Sequence, residues 1–245
     1  MNINEIFTEV EYTKKRTARE LFDFFEKKNK ELSTWNPNHP DIKKRREIRY
    51  RELDKGLPKK FRLELIPFAY YANTYYNDKP EVLFIPCCRS QQYDGIIIDN
   101  DMEIYVEIAN ASLNYKWGLQ KELLIENGQT PWMHNILGVE ENKTKMKRKT
   151  SDIIITNELF GSPELIRTAK ELVKTTAKNK CEKSIRPTLP YGKNKTVLLI
   201  SFDDTGFNET DRNVFINFKR LEIDKMSHSF IKIMLFGWIS KTFMS

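Results

Sequence analysis

Two β-rich runs, Tyr93 to Asp99 and Met102 to Ala109, are separated only by Asn100-Asp101. Asn and Asp tolerate the left-handed backbone that a two-residue hairpin loop demands, so the spacing predicts an antiparallel hairpin with Asp99 facing Met102. In that register Asp94 falls opposite Glu107, with Cβ atoms about 4.5–5.5 Å apart. Ile96, Ile98, Glu103, Tyr105 and Ala109 share the face of the two acids. Ile97, Ile104, Val106 and Ile108 occupy the other face, which is wholly apolar and expects a covering helix. A loop one residue longer would turn one strand over and separate the carboxylates.

Around this hairpin the pattern alternates between helix and strand periods. Thr13 to Leu32 reads as a helix from Ala18, Leu21, Phe22, Phe25 and Leu32, with Thr17 and Glu20 spaced as a capping box inside it. Trp35 to Pro40 is a turn-rich break. The basic stretch that follows, within a segment spanning 33–60, could form a charged helix projecting from the domain. Val82 to Cys88 is a mostly apolar run. Leu113 to Asn127 reads as a helix ended by Gly128, Asp152 to Thr156 as a short strand, and Pro163 to Lys178 as a helix with Pro near its start. Thr196 to Phe202, Glu209 to Lys225 and Phe230 to Phe236 continue as strand, helix and strand. This order predicts one α/β domain over 1–245, with a mixed central sheet and helices on both faces.

The chain has 245 residues, of which 40% are hydrophobic and 12% aromatic, enough for a sizeable core. Its longest apolar run, Ile231 to Ile239, contains Lys232 and is far shorter than the ~20 residues of a spanning helix. Neither a membrane span nor a secretory signal is read. Three cysteines, Cys87, Cys88 and Cys181, form no CxxC pair and stand far in sequence from His39, His134 and His228, which disfavours structural zinc. The odd count fits a reducing cytoplasm, with Cys87 and Cys88 as core strand residues.

Lys and Arg number 41 against 34 Asp and Glu, a net charge of +7. The excess comes in runs: Lys43, Lys44, Arg45, Arg46, Arg49 and Arg51, then Lys143, Lys145, Lys147, Arg148 and Lys149, with further lysines between Lys178 and Lys195. Each run alone is as readily a solvated face. Together they point to a polyanion, and nucleic acid is the usual one. Lys43, Lys44, Arg45, Arg46, Lys145, Lys147, Arg148 and Lys149 are the candidate phosphate contacts.

Opposed carboxylates repel unless a cation or a shared proton offsets them, and a divalent ion such as Mg²⁺ is a natural partner for paired acids at a phosphate. The plainer explanation of the pair is a strand entrance at Asp94 beside Gly95, with Glu107 matched by a nearby lysine. Tyr93-Asp94-Gly95 on one strand and Val106-Glu107-Ile108-Ala109 on the next, with a helix before and helix and strand after, resemble the core of the PD-(D/E)XK (restriction-endonuclease-like) nuclease superfamily. The resemblance covers Thr13 to Phe202 in element order, but in motif only these few positions. It implies a restriction-endonuclease-like sheet, Asp94 and Glu107 as ligands for Mg²⁺ or Mn²⁺, main-chain support from Ile108, and Glu20 as an auxiliary acid.

Ala109 departs from the family pattern, which has lysine two residues after the second acid. In some members of that superfamily the basic group moves to the following helix, where Gln120 and Lys121 are candidates and Lys116 lies one turn earlier. The function implied is metal-dependent hydrolysis of phosphodiester bonds, in DNA more readily than RNA, in a restriction or phage-defence setting, with a homodimer or partner subunit compatible with it. The alternative is a catalytically inactive member that binds nucleic acid or protein. Neither a GxSxG serine, a Cys/His arrangement, a P-loop nor a dinucleotide fingerprint occurs. Asp203-Asp204 at a strand end is either a ligand position or a solvated turn. Trp132-Met133-His134 is either a base-stacking loop or a packed anchor.

Overall fold

Asn100 and Asp101 both take positive φ, 47° and 65°, in the computed structural model, which describes residues 3–89, 92–112, 114–128, 139–141, 150–155, 162–185 and 195–244. This is the left-handed pair that a two-residue hairpin turn requires. Strands β1 (Leu83–Pro86), β2 (Gly95–Asp99) and β3 (Met102–Ala111) follow in antiparallel order, and the β2–β3 ladder pairs Asp99 with Met102 and Gly95 with Val106. The expected register holds throughout that ladder.

Helices α1 (Ile3–Ile6), α2 (Glu9–Tyr12), α3 (Ala18–Thr34), α4 (Ile42–Leu53), α5 (Gly56–Lys60) and α6 (Ile66–Tyr76) precede the hairpin, with a π-turn at Phe61–Leu65 between the last two. Thr17 and Glu20 do form a capping box, but it opens α3 and does not lie within it. No single-face periodicity announces α6, which carries Phe68, Tyr70, Tyr71, Tyr75 and Tyr76 around most of its circumference. Beyond the hairpin lie α7 (Asn114–Asn127), β4 (Val139–Glu141), β5 (Ile153–Ile155), α8 (Ser162–Ser184), β6 (Thr196–Phe202), α9 (Glu209–Phe218), a π-turn at Lys219–Ile223, β7 (Lys232–Gly237) and β8 (Thr242–Met244). Gly128 ends α7 with φ 75° and donates its N–H to the Leu124 carbonyl at 3.0 Å, as its C′ position predicts.

The central sheet has the order β1-β2-β3-β6-β7-β8, parallel across β3, β6 and β7 and antiparallel at both edges. β5 does not join it; it pairs with β4 in a separate two-stranded sheet. Every residue of β6 is buried, as a strand covered on both faces must be. Ile97, Val106, Ile108, Val197 and Leu199 pack on one side with Leu21 and Phe25 of α3 and with Phe68 and Ala72 of α6. Ala109, Ala111, Leu198 and Ile200 pack on the other with Ala169, Val173, Ala177 and Cys181 of α8 and with Phe215 of α9. A Cβ added at Gly95 would sit 2.7 Å from the Phe68 ring, so α6 reaches the hairpin only because that position has no side chain.

The basic segment forms α4, capped by Asp41 and set against α7, where Lys43 pairs with Glu126 at 2.7 Å. Arg45 donates to the His39 carbonyl, the Arg46 guanidinium lies against Gly128, and Arg49 reaches the Leu32 and Ser33 carbonyls. Lys44 is exposed. Residues 142–149, which hold Lys145, Lys147, Arg148 and Lys149, lie outside the described residues, as do Trp132 to His134. No described helix is long and apolar enough to cross a membrane.

Candidate active site

Asp94 is held at three points where the chain enters β2. Its N–H donates to the Val106 carbonyl at 2.8 Å, its carbonyl accepts from Cys87 at 2.9 Å, and its Oδ2 accepts from the Ile108 N–H at 2.7 Å. The Val106 bond is one residue out of the ladder register, so regular pairing breaks at Asp94 and its carboxylate is aimed along β3. The Ile108 main chain, expected to support a metal, donates its N–H to Asp94.

Glu107 lies on the α8 side of β3, between Val106 and Ile108 of the opposite core, and is 5% exposed. Its Oε1 accepts from the Lys180 ammonium of α8, while Oε2 is buried with no hydrogen-bond partner among the described residues. Asp94 lies within electrostatic reach of both Glu107 and Lys180. Burial holds the Asp94 carboxyl above the usual Asp range and Glu107 adds to the rise, while the Ile108 N–H, Lys60 and Lys180 oppose it.

On its other side Asp94 meets groups from the preceding helical layer. Lys60 at the end of α5 pairs with Glu64 at 3.1 Å. The Glu64 carboxyl is also raised, first by burial and then by Asp94. Tyr12, fully buried, has its phenol pushed well up by burial, with Glu64 and Asp94 adding to it. Burial likewise pushes the Cys87 thiol up to about 11, with Asp94 contributing.

The other sequence-predicted positions lie elsewhere. Lys121 pairs with Asp54 at the end of α4, so it does not supply the amine at Glu107. Gln120 is buried, and among the described residues its Nε2 has no hydrogen-bond partner and it makes no hydrogen bond to Asp94 or Glu107. The Lys116 side chain lies outside the described residues. Glu20 is occupied in capping α3, accepting from the Thr17 N–H at 2.9 Å, which explains it without catalysis. Asp204 is 2% exposed and accepts from the Ile239 N–H at 2.7 Å and the Ser240 N–H at 3.3 Å, while Asp203 accepts from Thr205. That acidic pair holds turns together.

Lys180, Lys60, Glu64 and Tyr12 were not singled out by spacing. For Lys180 a trace exists: Ala169, Val173, Ala177 and Cys181 recur every four residues as the buried stripe of α8, and Lys180 flanks its last member. Among the described residues no group of three His, Cys, Asp or Glu side chains gathers as a metal site. The donor set is smaller: two carboxylates, one with an orphaned buried oxygen. Oxygen donors of that kind fit a hard divalent cation better than any softer metal. Comparison with protein-family models, with curated protein sequences and with solved structures returned no match.

Proposed function

We propose that this chain is a metal-dependent nuclease of the PD-(D/E)XK type that hydrolyses phosphodiester bonds in DNA. The observation that carries the reading is Lys180: an ammonium delivered from α8 to Glu107, beside a position where the strand itself offers only Ala109. An antiparallel hairpin feeding parallel strands, with helices over both faces, supports the restriction-endonuclease-like form of the fold.

Asp94, Glu107 and the Ile108 main chain would hold Mg²⁺ or Mn²⁺. Such an ion, when bound, polarises the phosphate and lowers the pKa of a coordinated water. The chain's own groups do the rest. The Ile108 N–H and the two main-chain bonds at Asp94 fix one carboxylate, so little reorganisation is needed when a cation arrives. Lys180 brings positive charge to the place where negative charge grows on a phosphoryl group, and Lys60 balances Glu64 next to Asp94. Lys44 on α4 and the lysines of 142–149 supply positive charge for the duplex backbone.

Plasmid and single-stranded DNA incubated with Mg²⁺ or Mn²⁺ test the reading. Wild type should cleave, Glu107→Ala should not, and Lys180→Met should lose about 10²–10³-fold in rate, the usual effect of removing one charge-stabilising donor. Cleavage unchanged by Glu107→Ala would overturn it. The second reading, an inactive scaffold that binds nucleic acid or protein, draws on Ala109 and on the hold of Lys180 upon Glu107. DNA binding without cleavage in either metal would select it.

A further inference from the structure

Tyr93 and Tyr105 stack on each other beside the acid pair, with ring centroids 4.6 Å apart and planes 26° from parallel. Neither ring is buried, and among the described residues neither packs against a third aromatic ring or a cation. Tyr93 directly precedes Asp94. Tyr105 lies on the Glu107 face of β3, two residues and so roughly 6.8 Å along the strand from it. The Tyr105 hydroxyl donates to Glu103 at 3.2 Å, which fixes the ring's attitude without covering its face.

Most exposed tyrosines turn one edge to water and rest a face on the protein. Here the two rings rest on one another at the open end of the hairpin, so the stack is presented as a unit. Glu103 and Glu107 flank Tyr105 on this face, and one ammonium, that of Lys180, reaches the same face at Glu107. Lys195, itself exposed, is joined to Tyr105 through its backbone, its carbonyl accepting the Tyr105 N–H at 2.8 Å. Aromatic faces interleaved with ammonium groups bind unpaired nucleobases, because every base has a face to stack and each is tethered to a phosphate.

We infer that the Tyr93–Tyr105 stack is a platform for an unpaired nucleobase, which seats the adjoining phosphate at Asp94 and Glu107. The inference deepens the nuclease reading by giving the site a substrate form: a single-stranded, flapped or extruded nucleotide in preference to an intact duplex. A fully paired base has both faces covered by its neighbours and cannot use the platform without leaving the stack.

The test separates platform from chemistry by measuring binding in EDTA, where hydrolysis is absent. Fluorescence anisotropy with a dye-labelled oligo-dT and with a hairpin duplex of equal length should show tighter binding of oligo-dT. Tyr93→Leu and Tyr105→Leu should weaken oligo-dT binding about 5- to 150-fold, the span that loss of one stacked base corresponds to. They should leave duplex binding within about twofold. Tyr105→Phe, which keeps the ring and drops the hydroxyl, should bind as wild type does, and circular dichroism should show each variant folded. Equal binding of oligo-dT by the leucine variants, or by wild type to strand and duplex alike, would overturn the platform. Oligo-dT binding lost in Tyr105→Phe as fully as in Tyr105→Leu would overturn it too, because the hydroxyl and not the ring would then be at work. Failure of the nuclease reading looks different: no cleavage in Mg²⁺ or Mn²⁺, with tyrosine-dependent binding of oligo-dT intact.

Discussion

Replacing Lys180 by Met should destabilise the protein and make it dependent on divalent metal. Met keeps most of the aliphatic stem and deletes the ammonium, so Glu107 is left as a buried carboxylate without its counter-charge. The Glu107 side chain is 6% exposed and that of Lys180 28%. Breaking a buried pair by removing one partner costs about 3–5 kcal/mol. The ammonium end of this one is partly open to water, which can enter and screen, so a loss of about 2–3 kcal/mol is expected. At about 2–4 °C per kcal/mol for a chain of this size, the melting temperature should fall by roughly 4–12 °C. Glu107→Gln in the Lys180→Met background removes the stranded charge and should recover much of the loss. Saturating Mg²⁺ should do the same for Lys180→Met alone, since a ligand at 100 times its Kd adds about 2.7 kcal/mol to the folded state. Urea and thermal unfolding followed by circular dichroism, with and without metal, give all four corners of the cycle. A cost below about 0.5 kcal/mol, the size of an ordinary surface change, would refute the pairing. So would additivity of the two substitutions within about 0.5 kcal/mol.

Three further outcomes follow from the geometry. Asp94 has its carboxyl held above the ordinary value of 3.8, chiefly by burial, so the folded state binds that proton more tightly than the unfolded one. Its ionisation therefore opposes folding in metal-free buffer. The penalty is complete above the raised value and disappears below 3.8. Asp94→Asn should raise the melting temperature at pH 7 in EDTA, with the gain shrinking as pH falls through that window; a gain that stays constant down to pH 3 would contradict the assignment. Gly95→Ala should cost about 1–3 kcal/mol by overpacking against the Phe68 ring, read by urea denaturation, and a neutral result would mean that α6 yields freely. Cys87 and Cys181 are buried with thiols pushed up to about 11, so iodoacetamide at pH 8 should leave both unmodified in the native protein and alkylate them in urea, checked by mass spectrometry.

The hairpin was legible because its information is local. A two-residue loop admits one register, and it holds from Asp99–Met102 to Gly95–Val106; the expected pairing of Asp94 with Glu107 fails because the Asp94 N–H goes to the Val106 carbonyl and the ladder breaks there. The helices α3 and α7 and the strands β1, β6 and β7 were readable for a similar reason, each carrying its own period or apolar run. The π-turn and α6 were not, because a segment apolar nearly all round shows no moment from which a helix can be told from a buried strand. β5 was legible as a strand but not in its partner. Three consecutive isoleucines satisfy a central strand and a small side sheet equally well, and only its pairing with β4 separates the two.

Lys180 was illegible because what places it is a relation between two elements far apart in the chain, and that relation also accounts for Ala109. α8 turns Ala169, Val173, Ala177 and Cys181 toward the sheet, and β3 answers with Ala109 and Ala111 in the same buried cluster. Small side chains on both partners allow the helix backbone to come close to the strand. A lysine at 109 would have to bury its stem in that interface, where Ala109 is packed. The same closeness brings the flank of α8 near enough for the side chain of Lys180 to span the gap to Glu107. The alanine in the strand and the lysine on the helix are thus two consequences of one packing arrangement. A reading that follows spacing along the strand sees only the first of them; under the proposed nuclease reading, Lys180 would supply the charge which that spacing lacks.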